Sequence, residues 1–298
     1  MQIDKLIGQH AIKQQVKLQA EFCKKYSAVF PHTLLIASAG QGKTTMANAL
    51  AELIGRDFVQ AYGPSIQTPT DVWSLFFRKD GSFIRPGTVV FIDEIHAIPT
   101  KLTELLYTLM ETFTIIKDGK SLSVPKFTML AGTTEPHMMS KPLRDRFVNQ
   151  FVFVPYTEYD MIDYITNLGA AYVLPVTCCR IAKLCNYTPR LVNSLMKKLH
   201  MYCCVNKVSC VNDQVFTDFL VANGYTETGL TALEDKYMRV LAEAKKASIS
   251  TLANLLGMKQ SMISSIVEPS LLSRGLIELS YGGRTLTEEG QKMYGGVR

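Results

Sequence analysis

Three short stretches carry residues whose types and spacing suit the binding and splitting of a nucleoside triphosphate. Ala37-Ser-Ala39-Gly40-Gln41-Gly42-Lys43-Thr44 has the pattern of a P-loop with alanine at its first position, and Thr45 follows it. Small residues let backbone N–H groups converge on phosphate oxygens at a helix N-terminus, where the helix dipole adds to the attraction. Lys43 is then placed to reach the β- and γ-phosphates, and Thr44 to hold Mg²⁺. An ordinary glycine-rich turn is the plainer alternative. The second stretch, Thr88-Val-Val-Phe-Ile-Asp93-Glu94, is an apolar run closed by two carboxylates. Burying unpaired charge is costly, whereas Mg²⁺ near Asp93 and an attacking water at Glu94 give both acids a role. A solvated strand end is the competing account.

The third set of residues comes from three separate segments. Thr133-Thr134 closes another apolar run and puts a hydroxyl between the P-loop strand and the Asp93-Glu94 strand. Pro142-Leu-Arg144-Asp-Arg146-Phe follows. Arginines at a domain edge can reach a neighbouring subunit's γ-phosphate, an effect worth about 10³–10⁵ in rate. Tyr187-Thr-Pro189-Arg190 opens a helix from which Arg190 can touch the phosphates from above. A solvated arginine pair and an ordinary surface arginine are the alternatives for these two segments.

The elements that must position these groups follow from periodicity. Apolar runs at 33–37, 57–62, 88–92, 127–131 and 150–154 read as strands. Met46, Leu50 and Ile54 recur at helical spacing until Gly55. Apolar strands separated by helices imply a parallel sheet covered on both faces. Segments 112–117 and 120–124 flank Asp118-Gly119, a hairpin signal. From about 157 helices take over, at 158–168, 177–185, 189–205 and 212–223. After Gly229 the spacing predicts helices at 231–246, 250–256 and 260–274, with a break at Gly257. A hairpin then runs over 276–281 and 284–287 around Gly282-Gly283. Three helices and a terminal hairpin make a winged helix.

Composition sets the frame. The chain has 298 residues, 47% hydrophobic and 19% charged, which excludes a disordered, collagenous or charge-laced coiled-coil protein. No apolar run reaches the roughly 18–20 residues that cross a bilayer. The N-terminus lacks a signal-peptide core, which implies no membrane association and a cytoplasmic protein. Residues 1–150 hold 17 basic and 13 acidic side chains, 151–229 hold 6 and 6, and 230–298 hold 9 and 7, together the net +6. Any nucleic-acid contact therefore comes from placed residues rather than a polybasic arm. Six of seven cysteines lie between Cys178 and Cys210, without CxxC pairs or a histidine interleaved at ligand spacing. Their helical spacing favours core thiols over a metal site.

In order and spacing these motifs resemble the AAA+ ATPases, and within them the family of the bacterial Holliday-junction branch-migration motor RuvB. The resemblance runs over nearly the whole chain. It includes Leu6-Ile7-Gly8-Gln9, Gly40-Gln-Gly-Lys43-Thr44-Thr45, Phe91-Ile-Asp93-Glu94-Ile-His96, Gly132-Thr-Thr134, Pro142-Leu-Arg144-Asp-Arg146-Phe147 and Thr188-Pro189-Arg190. It ends in Gly229-Leu-Thr-Ala-Leu-Glu-Asp-Lys-Tyr and Glu268-Pro-Ser-Leu-Leu-Ser-Arg-Gly. It implies an α/β P-loop AAA+ domain with a five-stranded parallel sheet over 1–156, a helical lid over 157–228 and a winged helix over 229–298.

The resemblance also implies roles. Ile7, Gly8 and Tyr156 line the adenine pocket, and Pro189 stands beside Arg190 at the nucleotide. Thr134 is the sensor that orients water, and Arg146 is the finger acting in trans, with Arg144 its close alternative. Arg190 is the second sensor, and Arg284, set at the wing tip, and Lys259 contact DNA. ATP and Mg²⁺ are the cofactors; the partners are double-stranded or branched DNA and copies of the chain in a ring, a hexamer by resemblance.

Several features depart from the family. The chain opens almost directly at the adenine-pocket motif, and Ala37 and Ala39 replace Gly and Pro. Glu135 follows Thr134 where Arg is usual. The 112–124 hairpin is shorter than the arm that docks the junction-binding partner RuvA, which argues against RuvA-like docking. Lys117, Lys120 and Lys126 on or near it could serve another partner or DNA, or be merely solvated. These departures fit a diverged member of phage or mobile-element origin. The reading is an ATP-driven, ring-forming DNA motor. Its rivals are a clamp-loader or helicase-loader type of ATP switch and a non-catalytic DNA-binding adaptor.

Overall fold

A computed structural model describes residues 3–117, 120–169 and 172–294; the Asp118-Gly119 turn lies outside them. The chain divides into two compact units, Met1–Tyr156 and Thr157–Arg298.

The first unit starts with a helix the strand-and-helix pattern above does not include. Ile12, Val16, Ala20 and Cys23 recur on one face of α1 (His10–Tyr26) among lysines and glutamines. Strand β1 (Thr33–Ile36) leads through the glycine loop into α2 (Lys43–Ile54), which Gly55 caps in the left-handed conformation. Then come β2 (Phe58–Tyr62), α3 (Pro69–Ser74) with its Thr68/Asp71 capping box, β3 (Val89–Asp93) and α4 (Thr100–Thr112). The short hairpin β4 (Thr114–Lys117) and β5 (Lys120–Ser123) precedes β6 (Thr128–Thr133), α5 (Lys141–Arg144) and β7 (Asn149–Val152).

Five strands form one parallel sheet in the order β2-β3-β6-β1-β7, as the resemblance implies. Every residue of β6, and Val89 to Ile92 of β3, is buried, because helices cover both faces. Alternation within β1 divides the core. Leu34 packs with Val90, Ile92, Phe127 and Leu106 on one face, and Leu35 with Phe91, Leu130, Met46 and Leu50 on the other. The crossovers place the carboxyl ends of β3, β6 and β1 side by side, where ligands bind in open α/β sheets.

The second unit begins with α6 (Glu158–Asn167), α7 (Pro175–Leu184), α8 (Pro189–Asn206) and α9 (Asp213–Ala222). Cys178, Cys185 and Cys203 are buried there, as helical spacing suggests, and burial pushes the Cys185 thiol up to about 12. The winged helix follows as α10 (Ala232–Ala244), β8 (Lys246–Ala247) and α11 (Ile249–Leu256), which ends at Gly257. A third helical stretch comprises α12 (Gln260–Met262), a π turn (Ile263–Val267) and α13 (Glu268–Ser273). The chain continues through β9 (Ile277–Ser280), β10 (Gly283–Leu286) and α14 (Glu288–Tyr294). The helix expected over 231–246 stops two residues early. Lys245 takes φ 57 and Lys246 pairs with Thr285, giving the wing a third strand.

Arg284 is not at the wing tip. The turn is Tyr281-Gly282, with Tyr281 fully exposed, and Arg284 lies inside β10. Its Nε donates to Glu268 Oε1 at 2.8 Å and its Nη2 to Oε2 at 3.2 Å. Glu268 is 3% exposed and also accepts from the buried Tyr237 hydroxyl at 3.0 Å. A buried carboxylate needs this paired charge and hydrogen bonding, so the guanidinium braces the wing against α13. No helix among the described residues is long and apolar enough to cross a membrane.

Candidate nucleotide site

The P-loop geometry follows from its glycines. Gly40 and Gly42 adopt φ 81 and 92, open to glycine at no steric cost, and deliver the chain to the N-terminus of α2. Lys43 is 6% exposed and folds back, its Nζ donating to the Ala37 carbonyl at 2.9 Å and lying 3.7 Å from Glu94 Oε1. Ala37 sits at the end of β1, its N–H on the Thr133 carbonyl, clear of the tight part of the loop. Ala39 and Thr45 are exposed.

Thr44 Oγ1 donates to Asp93 Oδ2 at 3.1 Å. A hydroxyl beside a carboxylate, with no nitrogen or sulfur ligand, is the donor set of a magnesium ion that also takes phosphate oxygens and water. The space is kept by Gly132 in β6, where a Cβ would lie 2.8 Å from Asp93 Oδ1 and 3.4 Å from Lys43 Cε. The residues present thus fit Mg²⁺.

Glu94 leaves β3 with φ 52, a left-handed conformation that a non-glycine residue holds only where its surroundings enforce it. Its Oε2 accepts from Thr134 Oγ1 at 3.1 Å. Thr134, just past β6, therefore meets the carboxylate from the intervening strand, as its place in the sequence suggests. His96, unassigned at the level of sequence, places Nδ1 3.4 Å from the same Oε2 and 2.9 Å from Thr133 Oγ1.

The N-terminal motif reaches the same region. Gln9 Nε2 donates to the Val154 carbonyl at 2.7 Å and its Oε1 accepts the Val154 N–H at 3.1 Å. This reciprocal pair staples Ile7 and the buried Gly8 beside the chain that carries Tyr156. The Tyr156 hydroxyl donates to the Gln41 carbonyl at 3.2 Å, so the ring lies on the P-loop.

Leu143 and Phe147 are buried and anchor the segment that carries Arg144 and Arg146. Arg146 Nη2 donates to Glu111 Oε2 of α4 at 2.7 Å. The Nε atoms of Arg144 and Arg146 are buried and make no hydrogen bond among the described residues. Pro189 and Arg190 open α8 of the second unit, with Pro189 buried and Arg190 exposed. Lys259, exposed, caps the start of α12.

The sheet order and the strand ends it aligns are those of an AAA+ ATPase. Residues 1–152 match the family described as the Holliday junction DNA helicase RuvB P-loop domain, and residues 227–295 match the RuvB C-terminal winged helix domain. The chain belongs to the RuvB family. The Holliday junction branch migration complex subunit RuvB of Mesomycoplasma hyopneumoniae is 29% identical over 302 residues, covering 97% of this chain and 93% of that protein. The corresponding protein of Campylobacter lari is 31% identical over 296 residues, covering 94% and 86%. The Thermotoga maritima RuvB Holliday junction branch migration motor superposes with a TM-score of 0.76 at 26% identity, covering 98% of this chain and 96% of that one.

Proposed function

We propose that this chain is an ATP-driven motor that assembles into a ring, a hexamer, and moves branched or double-stranded DNA in the cytoplasm. The observation that carries the catalytic reading is Glu94, held by Thr134 and His96 through Oε2 with Oε1 turned toward Lys43. When ATP enters, the phosphates draw Lys43 away, and the freed carboxylate oxygen takes a proton from the attacking water. Thr44 and Asp93 hold Mg²⁺, which when bound neutralises phosphate charge. The P-loop backbone of Ala39 to Thr45 cradles the phosphates, while Ile7, Gly8 and Tyr156 take the base. Arg146, with Arg144 beside it, serves the neighbouring subunit's γ-phosphate, and Arg190, next to Pro189, senses nucleotide state from the lid.

The three-part division at 156 and 228 then couples hydrolysis to DNA. Nucleotide state moves the lid, and the lid carries the winged helix. Lys259 meets DNA directly, whereas Arg284 acts on DNA through the wing it braces. The relatives are named subunits of a branch migration complex. The four-residue arms of the β4–β5 hairpin favour a junction-binding partner that docks otherwise than on a RuvA-type arm.

The test measures ATP hydrolysis with no DNA, linear duplex and a four-way junction, with sizing in a slowly hydrolysed ATP analogue. Expected are ring assembly, hydrolysis stimulated by DNA, and junction movement without another replication protein. ATP-dependent DNA binding without movement would indicate a loader. Glu94→Gln should keep nucleotide binding and lose about 10²–10⁴ in turnover; undiminished turnover would remove Glu94 from catalysis.

A further inference from the structure

Glu94 is held asymmetrically. Its Oε2 meets Thr134 Oγ1 at 3.1 Å and His96 Nδ1 at 3.4 Å, whereas Oε1 faces Lys43 Nζ at 3.7 Å. His96 Nδ1 also lies 2.9 Å from Thr133 Oγ1, a buried hydroxyl that already accepts the Glu135 backbone N–H. A carboxylate only accepts, whereas a hydroxyl can donate or accept, so the carboxylate beside Nδ1 makes this the ring nitrogen that carries the proton. The Nδ1–H therefore donates to Thr133 Oγ1, with Glu94 Oε2 3.4 Å from the same nitrogen.

We infer that His96 is a positioning residue for hydrolysis: it fixes Oε2 of Glu94 to the end of β6 and leaves Oε1 as the oxygen that receives the water's proton. The inference rests on the proposed role of Glu94 as the water-activating carboxylate. In that step one water proton passes to Oε1 and the water oxygen bonds the γ-phosphorus. The bond from the γ-phosphorus to the bridging oxygen breaks, leaving ADP and phosphate.

Two features of the backbone support the assignment. Glu94 sits at φ 52, and His96 follows two residues later in the 3-10 turn Ile95–Ala97, so a contact from His96 to β6 clips that turn in place. Thr133 and Thr134 are consecutive. One strand end thus holds Oε2 by two routes, directly through Thr134 and indirectly through the imidazole. Lys43, by contrast, must leave Glu94 to reach phosphate, which frees Oε1 rather than Oε2.

The experiment compares His96→Ala, His96→Asn and His96→Gln in the full chain, measuring ATP turnover with Mg²⁺ and duplex DNA, ATP affinity, and the thermal midpoint. An asparagine amide N–H falls near the place of Nδ1, and that of glutamine near Nε2. His96→Ala should lower kcat about 10- to 100-fold, the loss that accompanies slight misplacement of a reacting group. KM for ATP should stay within about twofold, the signature of an interaction used only at the transition state. Asparagine should recover most of the lost turnover and glutamine should not. Added to Glu94→Gln, His96→Ala should reduce the residual rate no further.

Equal losses in kcat and ATP affinity, equal rescue by glutamine, or a further loss on the Glu94→Gln background would each overturn the role. If the alanine variant does not fold, the contrast between asparagine and glutamine decides. A dead Glu94→Gln beside an unimpaired His96→Ala removes the positioning role alone, whereas an active Glu94→Gln removes the catalytic reading beneath it.

Discussion

His32 lies just before β1 with its ring against Phe113 and Phe127. Its Nδ1 accepts the Met129 N–H at 2.9 Å, and its Nε2 faces the Met110 carbonyl at 3.3 Å. Both contacts are satisfied by the neutral ring with its proton on Nε2. Burial holds the imidazole below its usual 6.5, offset in part by the Met110 contact. The unfolded chain therefore takes up this proton first, so the stability is intact above 6.5 and is lost as pH falls through 6.5 toward the lower native value. The thermal midpoint of the first unit should drop between about pH 7.5 and about pH 5.5, and His32→Gln should flatten that drop; an unchanged slope would contradict the assignment. Gly132 makes a second residue-scale case. Because β1 and β3 clamp β6 on both sides, a methyl at 132 cannot retreat from Asp93. Gly132→Ala should weaken ATP binding by an amount set by about 1–3 kcal/mol of overpacking, read by titration with a fluorescent nucleotide; parental affinity would show that the strand gives way. Lys43, Thr44, Asp93, Glu94 and Thr134 are legible in the sequence because a loop or strand end places each by local spacing. Gln9, His32, His96 and Glu111 are not, because partners such as Val154, Met129, Thr133 and Arg146 lie 145, 97, 37 and 35 residues away.

Elements are legible where their own pattern suffices. Strands β3 and β6 show as unbroken apolar runs because both faces are covered, and α2 shows by its spacing and its glycine stop. Helix α1 hides because its four buried residues are set among polar ones, and β8 is two residues long and exists only through its pairing with β10. The wing demonstrates what such pairing changes. From sequence alone Arg284, next to a glycine turn, is equally well a solvated turn residue, and the resemblance makes it a DNA contact, whereas in the fold it completes a buried pair with Glu268 under Tyr237. Removing one partner of a buried pair costs about 3–5 kcal/mol. Arg284→Ala should therefore lower the melting temperature of the second unit with or without DNA. Tyr281→Ala, at the exposed tip, should leave melting unchanged and weaken duplex binding. Unchanged melting in Arg284→Ala would return that residue to the DNA surface.

At the scale of the whole molecule, the winged-helix segment carries an excess of only +2 of the net +6, and part of the remainder, Lys43, Arg144 and Arg146, is proposed above to serve ATP. On the proposed reading DNA affinity comes from repeating a weak site around a ring, and a lone subunit should bind duplex poorly at physiological salt. In the proposed ring the catalytic site is a shared one, which mixing two inactive variants can expose. Arg146→Ala alone should leave nucleotide binding nearly intact and collapse turnover, because its own site is whole but receives no finger. A Glu94→Gln subunit has a dead site and an intact Arg146. In a head-to-tail ring, an Arg146→Ala site that meets a Glu94→Gln neighbour has every group it needs. Random mixing of equal amounts makes about a quarter of the interfaces of this kind, so about a quarter of the parental turnover should return if sites fire independently. Arg146 is held by Glu111 of its own chain at 2.7 Å, so it must leave that partner to serve a neighbour. No recovery in the mixture, although sizing confirms mixed rings, would assign Arg146 to its own subunit through Glu111 and leave Arg144 as the residue to test in the same way.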